Sequence, residues 1–373
     1  MFLKSTSARS HAASAFDLSR AMHRLPRLLV GGTALLAILL LPSAPKLAHA
    51  RGGIWQEFVY TGPAGSRPYF VYTPANYQPG MPVPLIFMLH GCTQNAVNFA
   101  AGTRMDELAD AHQFIVVYPQ QTTLNNPTTC WNWFASTNQV RGSGEPAILA
   151  GIVETVEHDS SRWTIDRSRV FVAGASAGAV MSIILGATYP DLFAAIGVVA
   201  GVEYPAGATS TDGLDPLQAG EKAYQAMGPY ARVVPTINFQ GTADPFVAPI
   251  NGDLVVQQWM ETDRLASQGR YDPHFANPAR VITGDPPLSH PYIKRSWNDS
   301  FGQEVQEYWV AVGASHAWTG GSLKGTFTDP LGPSISQILY GFFLNHPISM
   351  NPESASYQPS RRTSITTPLI ELS

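Results

Sequence analysis

Three side-chain types that cooperate in acyl transfer stand at the ends of apolar runs in this 373-residue chain. The first is Ser176, within Gly174-Ala175-Ser176-Ala177-Gly178, directly after Val170-Phe171-Val172-Ala173 and before a helical pattern. This matches G-x-S-x-G, where a tight strand-to-helix turn lifts the serine hydroxyl above a sheet edge. Backbone segments approach closely at such a turn, which accounts for neighbours no larger than alanine. The following helix would aim its N-terminus at the reacting centre, leaving the Ala177 N–H for a developing oxyanion. The plainer alternative is a small-residue turn whose serine only caps the helix.

A serine alcohol is a poor nucleophile without a base, so an acid and a histidine should follow in the order Ser, Asp, His. The run VVPTINFQ leads into Gly241-Thr242-Ala243-Asp244, and EVQEYWVAV leads into Gly313-Ala314-Ser315-His316. Asp244 and His316 are therefore the expected acid and base, at the carboxyl edge where sites in open α/β sheets lie. Asp253 reads as a helix-start charge. His274 and His290 fall in a Pro-rich irregular stretch and His346 follows the last helix, so these three read as surface or packing residues. Leu89-His90-Gly91-Cys92-Thr93 follows another apolar run, and the Cys92 N–H is the expected second oxyanion donor. His90, Trp131, Trp133 and Trp318 lie on or beside these loops and are expected to contact substrate, against the alternative that each tryptophan fills the core beneath its loop. Glu145, beside a helix start, reads as a dipole or capping contact rather than a second acid.

The elements that would position these residues alternate. Residues 55–60 and 69–72 read as antiparallel strands around a Gly/Pro turn. Residues 84–90 and 114–119 are continuous apolar runs, as in strands buried on both faces, with one helical pattern over 98–112 between them. A helix over 146–158, a strand over 170–174, a helix over 177–189, strands over 194–200, 233–240 and 305–312, and a helix over 334–344 complete the pattern. This predicts an α/β fold with a mostly parallel central sheet, helices on both faces and a single domain.

Composition bounds the rest. A 45% hydrophobic and 13% charged chain supports a sizeable core, and a net charge of −4 gives no reason to expect nucleic acid or an anionic membrane as partner. Arg24 and Arg27, the apolar run over 28–41 and Ala48-His49-Ala50 have the layout of a cleaved export signal. The expected organisation is a signal peptide over 1–50, with Met22 as an alternative start, a catalytic domain over 51–347 and a polar tail over 348–373. The mature protein is then expected outside the cytoplasm, in the periplasm or medium, as a monomer without membrane attachment. Export favours pairing of Cys92 with Cys130, the only cysteines; two buried free thiols are the other arrangement.

The motifs LHGCTQN, RMDELADAHQFIVVYPQQ, CWNWF, RGSGEPA, GASAG, GTAD and GASHAW occur in an order that resembles the extracellular polyhydroxybutyrate depolymerase family of esterases, over residues 55–347. The resemblance implies an α/β-hydrolase fold, a Ser176, Asp244, His316 triad and the Cys92 amide as oxyanion donor. It implies hydrolysis of short-chain polyhydroxyalkanoate polyester or its oligomers, with no metal and no organic cofactor. Esterases of the wider family that remove feruloyl or acetyl groups from plant polysaccharide supply the alternative substrate, and a non-catalytic secreted binding protein on a hydrolase scaffold is the alternative of another class. Depolymerases acting on insoluble granules often carry a linker and a polymer-binding domain after the catalytic one. Neither pattern follows residue 347, so tight adsorption to solid polymer is not expected.

Overall fold

A computed structural model of the chain describes residues 52–205, 207 and 215–348. The expected signal segment lies outside the described residues, as does the expected tail beyond Ile348. In chain order the main elements are β1 (Ile54–Gly62), β2 (Gly65–Thr73), β3 (Val83–Leu89), α1 (Ala96–Thr103), α2 (Met105–His112), β4 (Ile115–Pro119), α3 (Gly144–His158), β5 (Ile165–Ala175), α4 (Ala177–Thr188), β6 (Ala195–Val199), α5 (Pro216–Met227), β7 (Thr236–Gly241), α6 (Ile250–Ala266), β8 (Arg280–Gly284), β9 (Tyr292–Asn298), β10 (Glu304–Ala311) and α7 (Ile335–Leu344).

Ten strands form one sheet in the order β1-β2-β4-β3-β5-β6-β7-β10-β9-β8. The six central strands from β4 to β10 are parallel, and an antiparallel pair closes each edge. Because side chains alternate along a strand, consecutive residues of the buried strands feed two cores. Leu85, Phe87, Val170 and Val172 pack with α3, α4 and α6 on one face. Ile86, Met88, Phe171 and Ala173 pack with α1, α2 and α7 on the other, where Phe171 stacks on Phe343 with ring centroids 4.7 Å apart. Both faces are buried, which is why these strands read as unbroken apolar runs rather than alternating ones.

Two local expectations change. The single helix expected over 98–112 is two, broken at Arg104, whose φ of 58° is left-handed and whose N–H bonds Ala100 O to close the first helix. The stretch around His274 and His290, expected to be irregular, contains the β8–β9 hairpin. What positions chemistry is the parallel block: the loops after β3, β5, β7 and β10 all leave the same carboxyl edge.

Candidate active site

Strand β5 ends in Ala175 and α4 begins at Ala177, so Ser176 alone makes the turn, with φ 55° and ψ −122°. That conformation is costly for a residue with a Cβ and is kept by what surrounds it. The Ser176 N–H is tied to Val199 O on β6 at 2.9 Å. A Cβ on Gly174 would overlap the Gly178 backbone, and one on Gly178 would overlap the Leu89 and His90 carbonyls. Gly178 is thus bare so that the loop after β3 can lie against the start of α4. The same contact brings Gly91 beside Ser176: a Cβ there would stand 3.3 Å from Ser176 Cβ. Among the described residues neither the Cys92 N–H nor the Ala177 N–H donates to a protein acceptor, and the Ser176 hydroxyl makes no hydrogen bond.

Asp244 and His316 are brought together. His316 Nδ1 and Asp244 Oδ2 are 2.7 Å apart, and Asp244 Oδ1 accepts from the Phe246 and Val247 N–H groups at 2.8 and 2.9 Å. Burial alone would raise the Asp244 pKa, but the His316 bond and the two amides outweigh it and hold the carboxyl below its ordinary value. The loops carrying the pair are stitched to each other: Ala243 N–H bonds Ala314 O, Thr242 N–H bonds Ala311 O, and Gly313 N–H bonds Thr242 Oγ1. With both Asp244 oxygens engaged, the imidazole is held so that Nδ1 carries its proton toward the carboxylate and Nε2 is left to exchange one.

Cys92 and Cys130 form a disulfide, which anchors the loop after β3 to the segment that follows β4. Three of the expected substrate residues are instead interior. His90 is 0% exposed; its Nε2 accepts from the Gln121 N–H at 3.1 Å, so its Nδ1 donates to Gly91 O at 2.8 Å. Burial lowers its pKa to about 4. Trp131 is 0% exposed, donating Nε1–H to His90 O, and Trp318 is 1% exposed, donating to Ser336 Oγ. The two indoles and the His90 ring fill core under the loops and are closed to the surface, in place of the open position expected of them. Trp133 remains half-buried, with Nε1–H on Gly207 O. Glu145 is no second acid; it is a buried acceptor paired with Arg67. His290 pairs with Asp329, and His346 is buried between two backbone carbonyls, as packing residues should be.

Two aromatics were missed from the sequence. Phe246 is 66% exposed and Phe327 43% exposed, and both meet the His316 ring edge-on at centroid distances of 5.4 and 6.0 Å. Phe246 lies two residues past Asp244, a signal that was available; Phe327 belongs to a turn with no motif and could not have been found.

Comparison with known proteins agrees with this architecture. The chain is 38% identical over 192 residues to poly(3-hydroxyalkanoate) depolymerase C of Paucimonas lemoignei, covering 48% of this chain and 45% of that protein. It is 34% identical over 143 residues to feruloyl esterase B of Neurospora crassa, covering 38% and 47%. The alignments thus span about half the length of these relatives. Among solved structures, acetyl xylan esterase from Aspergillus awamori superposes with a TM-score of 0.59 at 23% identity, over 71% of this chain and 94% of that one, which identifies the α/β-hydrolase fold. Residues 68–268, a span that includes Ser176 and Asp244, match the family described as esterase PHB depolymerase, and the chain belongs to that family.

Proposed function

We propose that this protein is an exported serine esterase that hydrolyses short-chain polyhydroxyalkanoate polyester, or oligomers of it, through an acyl-enzyme. The observation that carries the reading is the Asp244–His316 hydrogen bond at the same sheet edge as the left-handed Ser176 turn. In this mechanism His316 Nε2 takes the Ser176 proton as Oγ attacks the ester carbonyl. The imidazolium that forms is stabilised by Asp244, and the Cys92 and Ala177 amides hold the tetrahedral oxygen. His316 then returns the proton to the leaving alcohol, and water deacylates Ser176 by the same route in reverse. Every step uses groups of this chain, without metal or organic cofactor.

The polyester assignment rests on the family and on the Paucimonas relative, and the exposed Phe246 and Phe327 beside His316 suit a methylene- and methyl-rich chain. The feruloyl and acetylxylan esterase relatives at 30–37% identity support aryl or acetyl esters of plant polysaccharide as the second reading. Export agrees with the Cys92–Cys130 disulfide, and among the described residues no helix is long and apolar enough to cross a membrane. The domain assignment is the hydrolase over 51–347, with an export signal before it, acting as a monomer.

The test is Ser176→Ala, expected to lower turnover by roughly four to six orders of magnitude, together with labelling of the wild type by a serine-directed phosphonate. A variant keeping more than about a tenth of the rate removes Ser176 from the reaction. Initial rates on hydroxybutyrate oligomers, methyl ferulate and acetylated xylan then decide substrate: faster turnover of either plant ester overturns the polyester reading.

A further inference from the structure

The loop after β3 closes on itself where the Gly91 N–H bonds Gln94 Oε1 at 2.9 Å and His90 Nδ1 donates to Gly91 O, but its attachment to the rest of the fold on the Cys92 side comes from another segment. The loop is fastened at five points to the 121–132 segment: the disulfide to Cys130, the Gln121 N–H on His90 Nε2, the Trp131 indole on His90 O, the Thr93 N–H on Thr128 O at 2.7 Å and the Thr129 hydroxyl on Gln94 O at 3.0 Å. That segment in turn converges on one buried carboxylate. Glu145 Oε1 accepts from Arg67 Nη2 at 3.0 Å, from Asn132 Nδ2 at 2.8 Å and from Gln121 Nε2. Its Oε2 accepts from the Asn132 backbone N–H at 2.6 Å. Gln121 spends its second amide hydrogen on Cys130 O at 3.0 Å, so one side chain links the carboxylate to the disulfide. The carboxylate is itself fixed, because the Glu145 N–H at the start of α3 bonds Asn138 Oδ1.

We infer that Glu145 is a positioning residue for the oxyanion hole, holding the Cys92 amide through Gln121, Asn132 and the Cys92–Cys130 bridge. The inference rests on the esterase reading above. Only an ionised carboxylate has the lone pairs for four donors; a neutral amide offers one accepting oxygen and turns two donor hydrogens toward donors. Glu145→Gln keeps the volume of the side chain and breaks the convergence. Losing one oxyanion donor outright typically costs about 10²–10³ in kcat, so loosening one is expected to cost about 10- to 100-fold. The loss falls on kcat, since the amide meets the substrate fully only when the oxygen becomes tetrahedral.

The experiment measures kcat and KM for p-nitrophenyl butyrate at low temperature, per active site titrated with a serine-directed phosphonate. It uses wild type, Glu145→Gln and Gln121→Met, the last cutting the link while leaving the Arg67–Glu145 pair intact. Affinity for phenylboronic acid, which places an oxygen in the oxyanion position, is read on the same samples. The expected result is a kcat lower by about 10- to 100-fold in both variants, KM within about twofold, and boronate affinity weakened by a similar factor. A merely structural role would lower the titratable fraction and leave per-site kcat unchanged, and that result overturns the inference while the esterase reading stands. A raised KM at unchanged kcat also overturns it, as a substrate contact. If Glu145→Gln does not fold, Gln121→Met alone decides. A wild type that forms no phosphonate adduct overturns the esterase reading, and the inference with it.

Discussion

Replacing His90 by asparagine separates a histidine that supports the site from one that touches substrate. The ring is 0% exposed and its Nε2 faces the Gln121 N–H, so a second proton would have to displace that donor inside the core. Its folded pKa is about 4 against an ordinary value of 6.5. The unfolded state therefore binds the proton more tightly. The stability due to neutral His90 is full above pH 6.5, falls as pH drops through the window from about 6.5 to about 4, and falls no further below it. Two and a half pH units at 1.36 kcal/mol each give about 3 kcal/mol. The wild-type curve alone would not show this, because Asp106, raised to about 6 by burial, and Glu307, raised to about 8 by burial and by Glu304, become more stabilising as pH falls. Subtracting the variant removes both. Urea unfolding of wild type and His90→Asn from pH 7.5 to 4 should show the wild-type advantage shrinking by about 3 kcal/mol on acidification. A pH-independent difference, or a KM changed several-fold by the variant at pH 7.5, would refute the assignment and return His90 to the substrate.

Three further outcomes follow from the same geometry. Asp244→Asn removes the acceptor that fixes the His316 tautomer and should lower kcat by about 10⁴-fold with KM little changed, measured on a soluble ester. Cys92→Ala with Cys130→Ala opens a loop with a sequence separation of 38; the chain-entropy relation puts the loss near 4 kcal/mol, read as a lower urea midpoint, together with a reduced kcat as the Cys92 amide loosens. Phe246→Ala takes away an exposed ring edge-on to His316 and should raise KM for hydroxybutyrate oligomers several-fold at similar kcat, with the urea midpoint unmoved.

The parallel core was legible because its strands are buried on both faces, so β3 (VPLIFML), β4 (IVVYP) and β6 (AIGVV) carry no charged residue. Ser176 and the Asp244–His316 pair were legible for a related reason. Ser176 directly follows β5, and Asp244 and His316 stand three and five residues past the ends of β7 and β10, where the chain leaves the sheet at its carboxyl edge. The β8–β9 hairpin was not: β8 is mostly exposed and half-polar, and nothing in RVITG distinguishes an edge strand from a loop. The tryptophans misled because adjacency in sequence says nothing of depth. An indole on a loop beside the site can as well turn inward and donate to a carbonyl, as Trp131 and Trp318 do. Glu145 looked like a simple helix-start charge because its partners Arg67, Gln121 and Asn132 lie on three separate segments that only the tertiary fold gathers.

The site is assembled from two halves, each stitched within itself. The Gly178–Leu89 approach fastens the Ser176 turn to the loop after β3, and the Cys92–Cys130 bridge holds that loop to the segment after β4. Loop-to-loop hydrogen bonds, and a close approach of Gly241 to the Ala314 and Ser315 carbonyls, fasten the Asp244 loop to the His316 loop. In the proposed reaction the halves meet only through the proton that passes between Ser176 and His316. Damage to one half should therefore leave the packing of the other intact, while either alone stops the proton from being used. Gly178→Ala and Asp244→Asn make this measurable. Their unfolding free energies should add within about 0.5 kcal/mol, as for sites without shared partners. Their effects on kcat should fall well short of multiplying, because groups that serve one transition state are lost together. If stability coupled strongly while rates multiplied, the halves would be one packing unit whose two chemistries are independent, and the proton relay would be the wrong account of how Ser176 is activated.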